Sequence, residues 1–274
     1  MARPATGIER LDACFAALRA RGERAFLPYL TAGDPDLETT EQLVLAMAEA
    51  GADVIELGVP FSDPIADGPT IQRASQRAIA SGTTLRRILE LVRRVRARTD
   101  VPILLMGYAN NFFAMGDEAF AKAAQEAGVD AVIVADLPPE EGAAFFAACR
   151  AAGIAPVLLA APTTTPARLA MLARETRGFL YYVSLTGVTS ARSELARGIE
   201  QGVRAARAAG PAPVCVGFGI STPEQAREVG LHADGVVVGS AIVERIEAAA
   251  SRADAVDSVA RFVAELKAPL REPR

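Results

Sequence analysis

Glu56 and Asp67 are the residues whose type and setting could do chemistry. They lie in Asp53 to Thr70, DVIELGVPFSDPIADGPT, where a short apolar run ends in a carboxylate, passes through a loop punctuated by Pro and Gly, and reaches a second carboxylate. Side chains alternate along an extended run, so Val54 and Glu56 share one face while Ile55 and Leu57 share the other. Glu56 is then an acid inside an otherwise apolar strand. Burial there disfavours its ionised form and raises its pKa toward the range where it both gives and takes a proton near neutrality. Asp67, in a wetter loop, is expected to stay ionised. Two carboxylates in unlike surroundings can divide acid and base work between them. The competing reading for Glu56 is a buried structural carboxylate paired with an Arg.

A second signal concerns the ligand. Val216 to Gln225, VGFGISTPEQ, carries two glycines from an apolar run into a helix start, and Val237 to Ile242, VVGSAI, does the same with a Gly-Ser pair. Glycine lets a backbone approach an anion closely, and the first amides of a helix point at it. Neither turn contains Lys or Arg, so phosphate binding here would rest on backbone amides and the Ser240 hydroxyl. The alternative is that the glycines serve only tight turns.

The elements that must position these residues recur as one unit: an apolar run, a polar or Gly-containing loop, and an amphipathic helix. The strand candidates are Ala25 to Thr31, Asp53 to Gly58, Pro102 to Tyr108, Ala131 to Asp136, Ala155 to Ala161, Gly178 to Ser184, Pro213 to Gly217 and Asp234 to Gly239. Pro28 is an awkward residue in the first of them, since it lacks a ladder donor. Helix starts are marked by Thr84, Asp117, Thr165-Pro166 and Thr222-Pro223, the last with Gln225 as a capping box. Ile8, Leu11, Phe15 and Leu18 give a further helix ahead of the first strand. Eight strands alternating with helices predict a single α/β domain over residues 1–274, a (β/α)8 TIM barrel with an extra N-terminal helix. In that architecture the working end is the carboxyl end of the strands, where Glu56, Asp136, Ser184, Gly219 and Ser240 fall. Leu185 to Glu194, LTGVTSARSE, reads as a connector or as a lid over that end. Tyr181 and Tyr182 must face opposite ways, and one should line the mouth.

Composition narrows the class. A net charge of -4 argues against nucleic-acid binding. Cys14, Cys149 and Cys215 are far apart without CxxC spacing, so neither a disulfide framework nor a zinc site is expected. No run is long and apolar enough for a membrane span or shaped as a signal peptide, which makes the cytoplasm the expected compartment.

The motifs PYLTAGDP (Pro28 to Pro35), ELGVPFSDPIADGPTIQ (Glu56 to Gln72), ADLP (Ala135 to Pro138), SLTGVT (Ser184 to Thr189), GFGIS (Gly217 to Ser221) and VGSAIV (Val238 to Val243) together resemble the tryptophan synthase α-subunit family, in the family's order and over nearly the whole chain. The resemblance implies a lyase that splits indole-3-glycerol phosphate into indole and glyceraldehyde 3-phosphate by a retro-aldol reaction. It implies that Glu56 protonates indole C3 and takes the proton of the glycerol hydroxyl, while Asp67 accepts a hydrogen bond from the indole nitrogen. It further implies Tyr181 and Phe218 near the indole, Phe26, Ile133 and Leu159 as apolar lining, Thr189 as a loop contact of Asp67, and Ser190, Gly219, Gly239 and Ser240 at the phosphate. The chain departs from the family pattern at Ser190, where Gly is usual, and at Asn111, where Pro or an apolar residue is common. No metal or cofactor is implied for this chain. The implied partner is the pyridoxal-phosphate-dependent β subunit, in an α2β2 complex, and neither Lys122, on a helix face, nor Lys267, in the carboxyl-terminal tail, looks like a cofactor-binding lysine. A stand-alone indole-releasing lyase and a phosphate-binding barrel without chemistry are the alternatives.

Overall fold

The computed structural model describes residues 5–184, 192–217 and 219–272. Its strands are β1 Ala25–Thr31, β2 Ile55–Gly58, β3 Ile103–Gly107, β4 Ala131–Val134, β5 Ala155–Pro156, β6 Leu158–Ala160, β7 Leu180–Val183, β8 Val214–Gly217 and β9 Gly235–Val238. All pair in parallel, in the order β5-β4-β3-β2-β1-β9-β8-β7-β6. The two ends of that order are neighbours in the chain, separated by Val157 alone. β5 and β6 are therefore halves of one stave, the first paired with β4 and the second with β7, and the sheet closes as an eight-staved barrel. Pro156, which has no N–H to give the ladder, sits at the break, while the Val157 N–H still reaches the Val132 carbonyl at 3.0 Å.

The Pro28 problem is solved in a similar way. The β1–β2 ladder begins at Tyr29, opposite Glu56, one residue past the missing donor. Below it the Asp53 carboxylate takes the Phe26 N–H at 2.7 Å.

Period-two alternation sorts side chains into two layers. Ala25, Leu27, Val54, Leu104, Ala131, Ile133, Val157, Phe179, Cys215 and Val237 fill the barrel interior. Phe26, Leu30, Ile55, Leu57, Ile103, Val132, Leu180 and Tyr182 pack outward against the helices. The helix Gly7–Arg21, held by a Thr6–Glu9 capping box, adds Leu11, Phe15 and Leu18 to the interior cluster. It thereby closes the amino-terminal end of the barrel, leaving the carboxyl end as the mouth.

Helices follow the staves, including Leu85–Arg96, whose apolar face is buried, and Pro223–Gly230, whose Thr222–Gln225 capping box forms as its sequence predicts. Among the described residues the α-helices Pro69–Ala80, directly after Asp67, the short Ala109–Phe113 and the C-terminal Arg252–Lys267 have no counterpart in the sequence reading. The last of these corrects the placing of Lys267 in a tail. Its side chain is buried, and its ammonium group meets the Asp53 carboxylate at 2.8 Å and the Arg24 carbonyl at 2.9 Å. Among the described residues no helix is long and apolar enough to cross a membrane.

Candidate active site

Glu56 stands on β2 between Tyr29 of β1 and Leu104 of β3, facing the barrel interior with Val54 below it. The side chain is 1% exposed, and among the described residues its Oε2 atom has no hydrogen-bond partner. Among the described residues no Arg stands with it as the structural reading required: what moves its titration is its own burial and, second, the negative charge of Asp67. Both push the carboxyl group up, to about 8. A structural carboxylate would be expected to carry donors. Here Oε2 has none among the described residues, and the neutral form is favoured.

Asp67 lies in the loop after β2, half-buried just before the helix Pro69–Ala80. Burial raises its carboxyl group above the ordinary aspartate value, and the nearby Tyr108 phenol pulls it back. That departs from the fully wet aspartate read from the sequence, because β3 brings a tyrosine over the loop. Burial acts on both carboxyl groups and more strongly on Glu56, the deeper of the two.

Two tyrosines stand beside Glu56 from neighbouring staves. Tyr29, on β1, has its hydroxyl within hydrogen-bond distance of Thr31 (3.2 Å) and lies close enough to Asp67 and Glu56 for both charges to push its phenol well above the ordinary value, after burial. Tyr181, on β7, is raised first by burial and then by Glu56. Glycines make room for both rings: a Cβ on Gly58 would overlap the Tyr29 hydroxyl, and one on Gly217 the Tyr181 hydroxyl. Met106, Leu159 and Tyr181 are the half-buried residues packed on the interior cluster at its open end, above the fully buried Ile133. Tyr181 thus faces the mouth and Tyr182 the helices, as alternation required.

Phe26 is a correction. It is fully buried between β1 and the helices, with Leu43 and Met47 in its cluster. Alternation places it on the face opposite Leu27 and Tyr29, so the aromatic ring β1 offers to the mouth is Tyr29. Sequence reasoning missed Tyr29, Met106 and Tyr108. The available signal was a tyrosine in an apolar strand at an odd-numbered spacing from Phe26.

Gly219, Gly239 and Ser240 stand where the phosphate turns were expected, beyond the ends of the paired staves β8 and β9. Gly219 has a positive φ of 73° and is exposed, a conformation that favours glycine. Gly239 precedes the helix Ser240–Ala248, whose first turn has no side-chain cap, so its amides and the exposed Ser240 hydroxyl are available to an anion. Thr189, Ser190 and Phe218, with residues 185–191 of the expected connector or lid, lie outside the described residues, while Arg192 to Glu194, read as the end of that loop, begin the helix Arg192–Ala209. No group of three His, Cys, Asp or Glu side chains among the described residues is arranged to hold a metal ion.

A buried acid beside an aspartate, at the carboxyl mouth of a β/α barrel and near an uncapped helix start, is the arrangement of a TIM-barrel enzyme. Comparison with known proteins makes the class particular. The family described as tryptophan synthase alpha chain matches residues 15–271. The tryptophan synthase alpha chain of Geobacter sp. (strain M21) is 55% identical over 260 residues, covering 95% of this chain and 97% of that protein. That of Burkholderia thailandensis is 51% identical over 264 residues, covering 96% and 97%. Among solved structures, the alpha chain from Legionella pneumophila subsp. pneumophila superposes with a TM-score of 0.88 at 38% identity, covering 95% of this chain and 97% of that one. The chain belongs to the tryptophan synthase alpha chain family. Its reaction is the lyase cleavage of indole-3-glycerol phosphate.

Proposed function

We propose that Glu56 and Asp67 carry this cleavage, and that the chain works as a single barrel domain. The observation that bears the assignment is Glu56 itself: a fully buried carboxyl group whose Oε2 has no hydrogen-bond partner among the described residues, pushed up to about 8 beside Asp67. At neutral pH it holds a proton to give. Protonation of the indole ring at C3 makes that carbon tetrahedral and places positive charge on the ring nitrogen, which the Asp67 carboxylate stabilises. Glu56, now ionised, takes the proton from the glycerol hydroxyl. The bond from C3 to the former carbinol carbon breaks, its electron pair returns to the indole ring, and the hydroxyl oxygen becomes the aldehyde of glyceraldehyde 3-phosphate. Tyr29, Met106, Ile133, Leu159 and Tyr181 supply the apolar walls for the indole, and Gly219, Gly239 and Ser240 the phosphate site, together with Ser190. Thr189 and Phe218 are assigned to the loop and indole contacts that the family resemblance implies.

The partner is the tryptophan synthase β subunit. A related chain that covers 89% of this one at 39% identity comes from a tryptophan synthase complex of Pyrococcus furiosus, with a TM-score of 0.81. Ile65, 86% exposed in the loop after β2, and Phe113, 44% exposed after β3, are large apolar side chains at the barrel mouth. This is the face we assign to the β subunit, which receives the indole and holds the pyridoxal phosphate; the cleavage is assigned to side chains of this chain alone. The site is that of a biosynthetic enzyme of the cytoplasm.

The test is indole release from indole-3-glycerol phosphate by the purified chain, alone and with a β subunit. Stimulation by the β subunit is expected. Asp67→Asn is expected to lower turnover by about 10²-fold or more while ligand binding persists; undiminished turnover in that variant refutes the assignment.

A further inference from the structure

The Asn111 carboxamide uses both of its ends inside the protein. Its Oδ1 accepts the Tyr108 backbone N–H at 2.9 Å, and its Nδ2 donates to the Pro60 carbonyl at 3.1 Å. Pro60 belongs to the loop that carries Asp67, and Tyr108 to the end of β3, so one side chain fastens two adjacent mouth loops to each other. Room for it comes from Gly107, where a Cβ would stand 3.1 Å from Oδ1.

Each end of the clamp fixes one ring of a stacked pair. Phe61, next to Pro60, stacks on Tyr108 with centroids 5.2 Å apart and planes 25° from parallel. The buried Tyr108 hydroxyl accepts the N–H of Ala66 at 3.0 Å. Ala66 directly precedes Asp67, and the phenol lies near enough to that carboxyl group to hold it down against its own burial. A Leu or Pro at position 111 can make neither hydrogen bond, so this coupling is specific to chains with an amide there.

We propose that Asn111 is a positioning residue for the cleavage reaction: by bridging Pro60 to Tyr108 it sets the phenol that holds Asp67 at the ring nitrogen. The proposal rests on the role of Asp67 given above. It acts through Tyr108, so the two residues form one unit whose members do not contribute independently. Losing either loosens the Ala66 backbone beside Asp67 and takes the phenol away from it, which shifts its titration upward and narrows the pH range in which it is ionised.

The experiment measures pH profiles of indole release for the full-length chain, saturated with a β subunit, as wild type, Asn111→Leu, Asn111→Asp, Tyr108→Phe and Asn111→Leu/Tyr108→Phe. Asn111→Leu is expected to lower kcat about tenfold with KM within about threefold of wild type, as expected for one lost positioning contact, and to move the acidic limb to higher pH. Tyr108→Phe should move that limb in the same direction, and the double variant should lose no more than Tyr108→Phe alone. Asn111→Asp, which keeps the acceptor for the Tyr108 N–H, should lie between wild type and Asn111→Leu. An unmoved acidic limb in Asn111→Leu, or losses that multiply in the double variant, overturns the proposal. Asp67→Asn, run alongside, separates the two levels: if it retains full turnover the reading of Asp67 fails, whereas if it is inactive and the Asn111 and Tyr108 losses multiply, only the positioning role fails.

Discussion

Replacing Glu56 by Gln should lower turnover steeply and, at the same time, remove a pH-dependent weakness of the fold. The group's ordinary value is 4.5 and its folded value about 8. Below the lower value both folded and unfolded chains hold the proton, and the group has no effect on stability. As pH rises the unfolded chain ionises first, so folding must take up a proton, and stability is lost until the folded value is passed. The loss between about pH 5 and about pH 8 is roughly 3 kcal/mol, at about 1.4 kcal/mol per pH unit over most of that window. With 1% of the side chain exposed, solvent screening does little to reduce it. Gln cannot ionise, so the stability of Glu56→Gln minus that of wild type should grow by that amount across the window. Its absolute value at one pH is less informative, because the amide also leaves a buried polar group unsatisfied at about 1–3 kcal/mol. Urea unfolding at several pH values, with indole release measured on the same preparations, gives both quantities. Turnover should fall by about 10²- to 10⁴-fold with loss of the general acid. A difference in stability that is flat with pH means that Glu56 is ionised in the folded protein, and the mechanism built on its proton is then wrong.

Other consequences are as direct. Gly58→Ala should drive the Tyr29 hydroxyl out of its place beside Glu56 and lower kcat/KM; a crystal structure of the variant shows whether the ring has moved. Ser240→Ala should raise KM for indole-3-glycerol phosphate several-fold and leave kcat nearly unchanged, because a phosphate contact far from the reacting bond binds ground and transition states alike. Lys267→Met should cost about 3–5 kcal/mol in urea unfolding, since it leaves the Asp53 carboxylate inside the protein without its cation. That loss should shrink as pH falls, because burial already raises the Asp53 carboxyl group and protonation removes the unpaired charge.

The barrel and its direction were legible in the chain because they rest on local rules. Period-two alternation put Glu56 with Val54 and against Ile55 and Leu57. Gly-rich turns before capped helices marked the ends of the last two staves, and the stripe Ile8, Leu11, Phe15 and Leu18 announced the helix that closes the far end. An acid in an apolar strand is itself a local anomaly, so Glu56 was visible before any fold was known. Tertiary structure decided what depends on neighbours distant in sequence. Phe26 and Tyr29 are equally plausible as lining until the register of β1 against β2 sets Tyr29 opposite Glu56. Lys267 reads as part of a solvated tail until the C-terminal helix carries it, 214 positions on, to Asp53. Asp67 reads as a wet loop aspartate until β3 brings Tyr108 against it. Spacing along the chain determined which groups could do chemistry. Closure of the sheet determined their partners, because a proton's affinity for a carboxylate is set by what surrounds it in space.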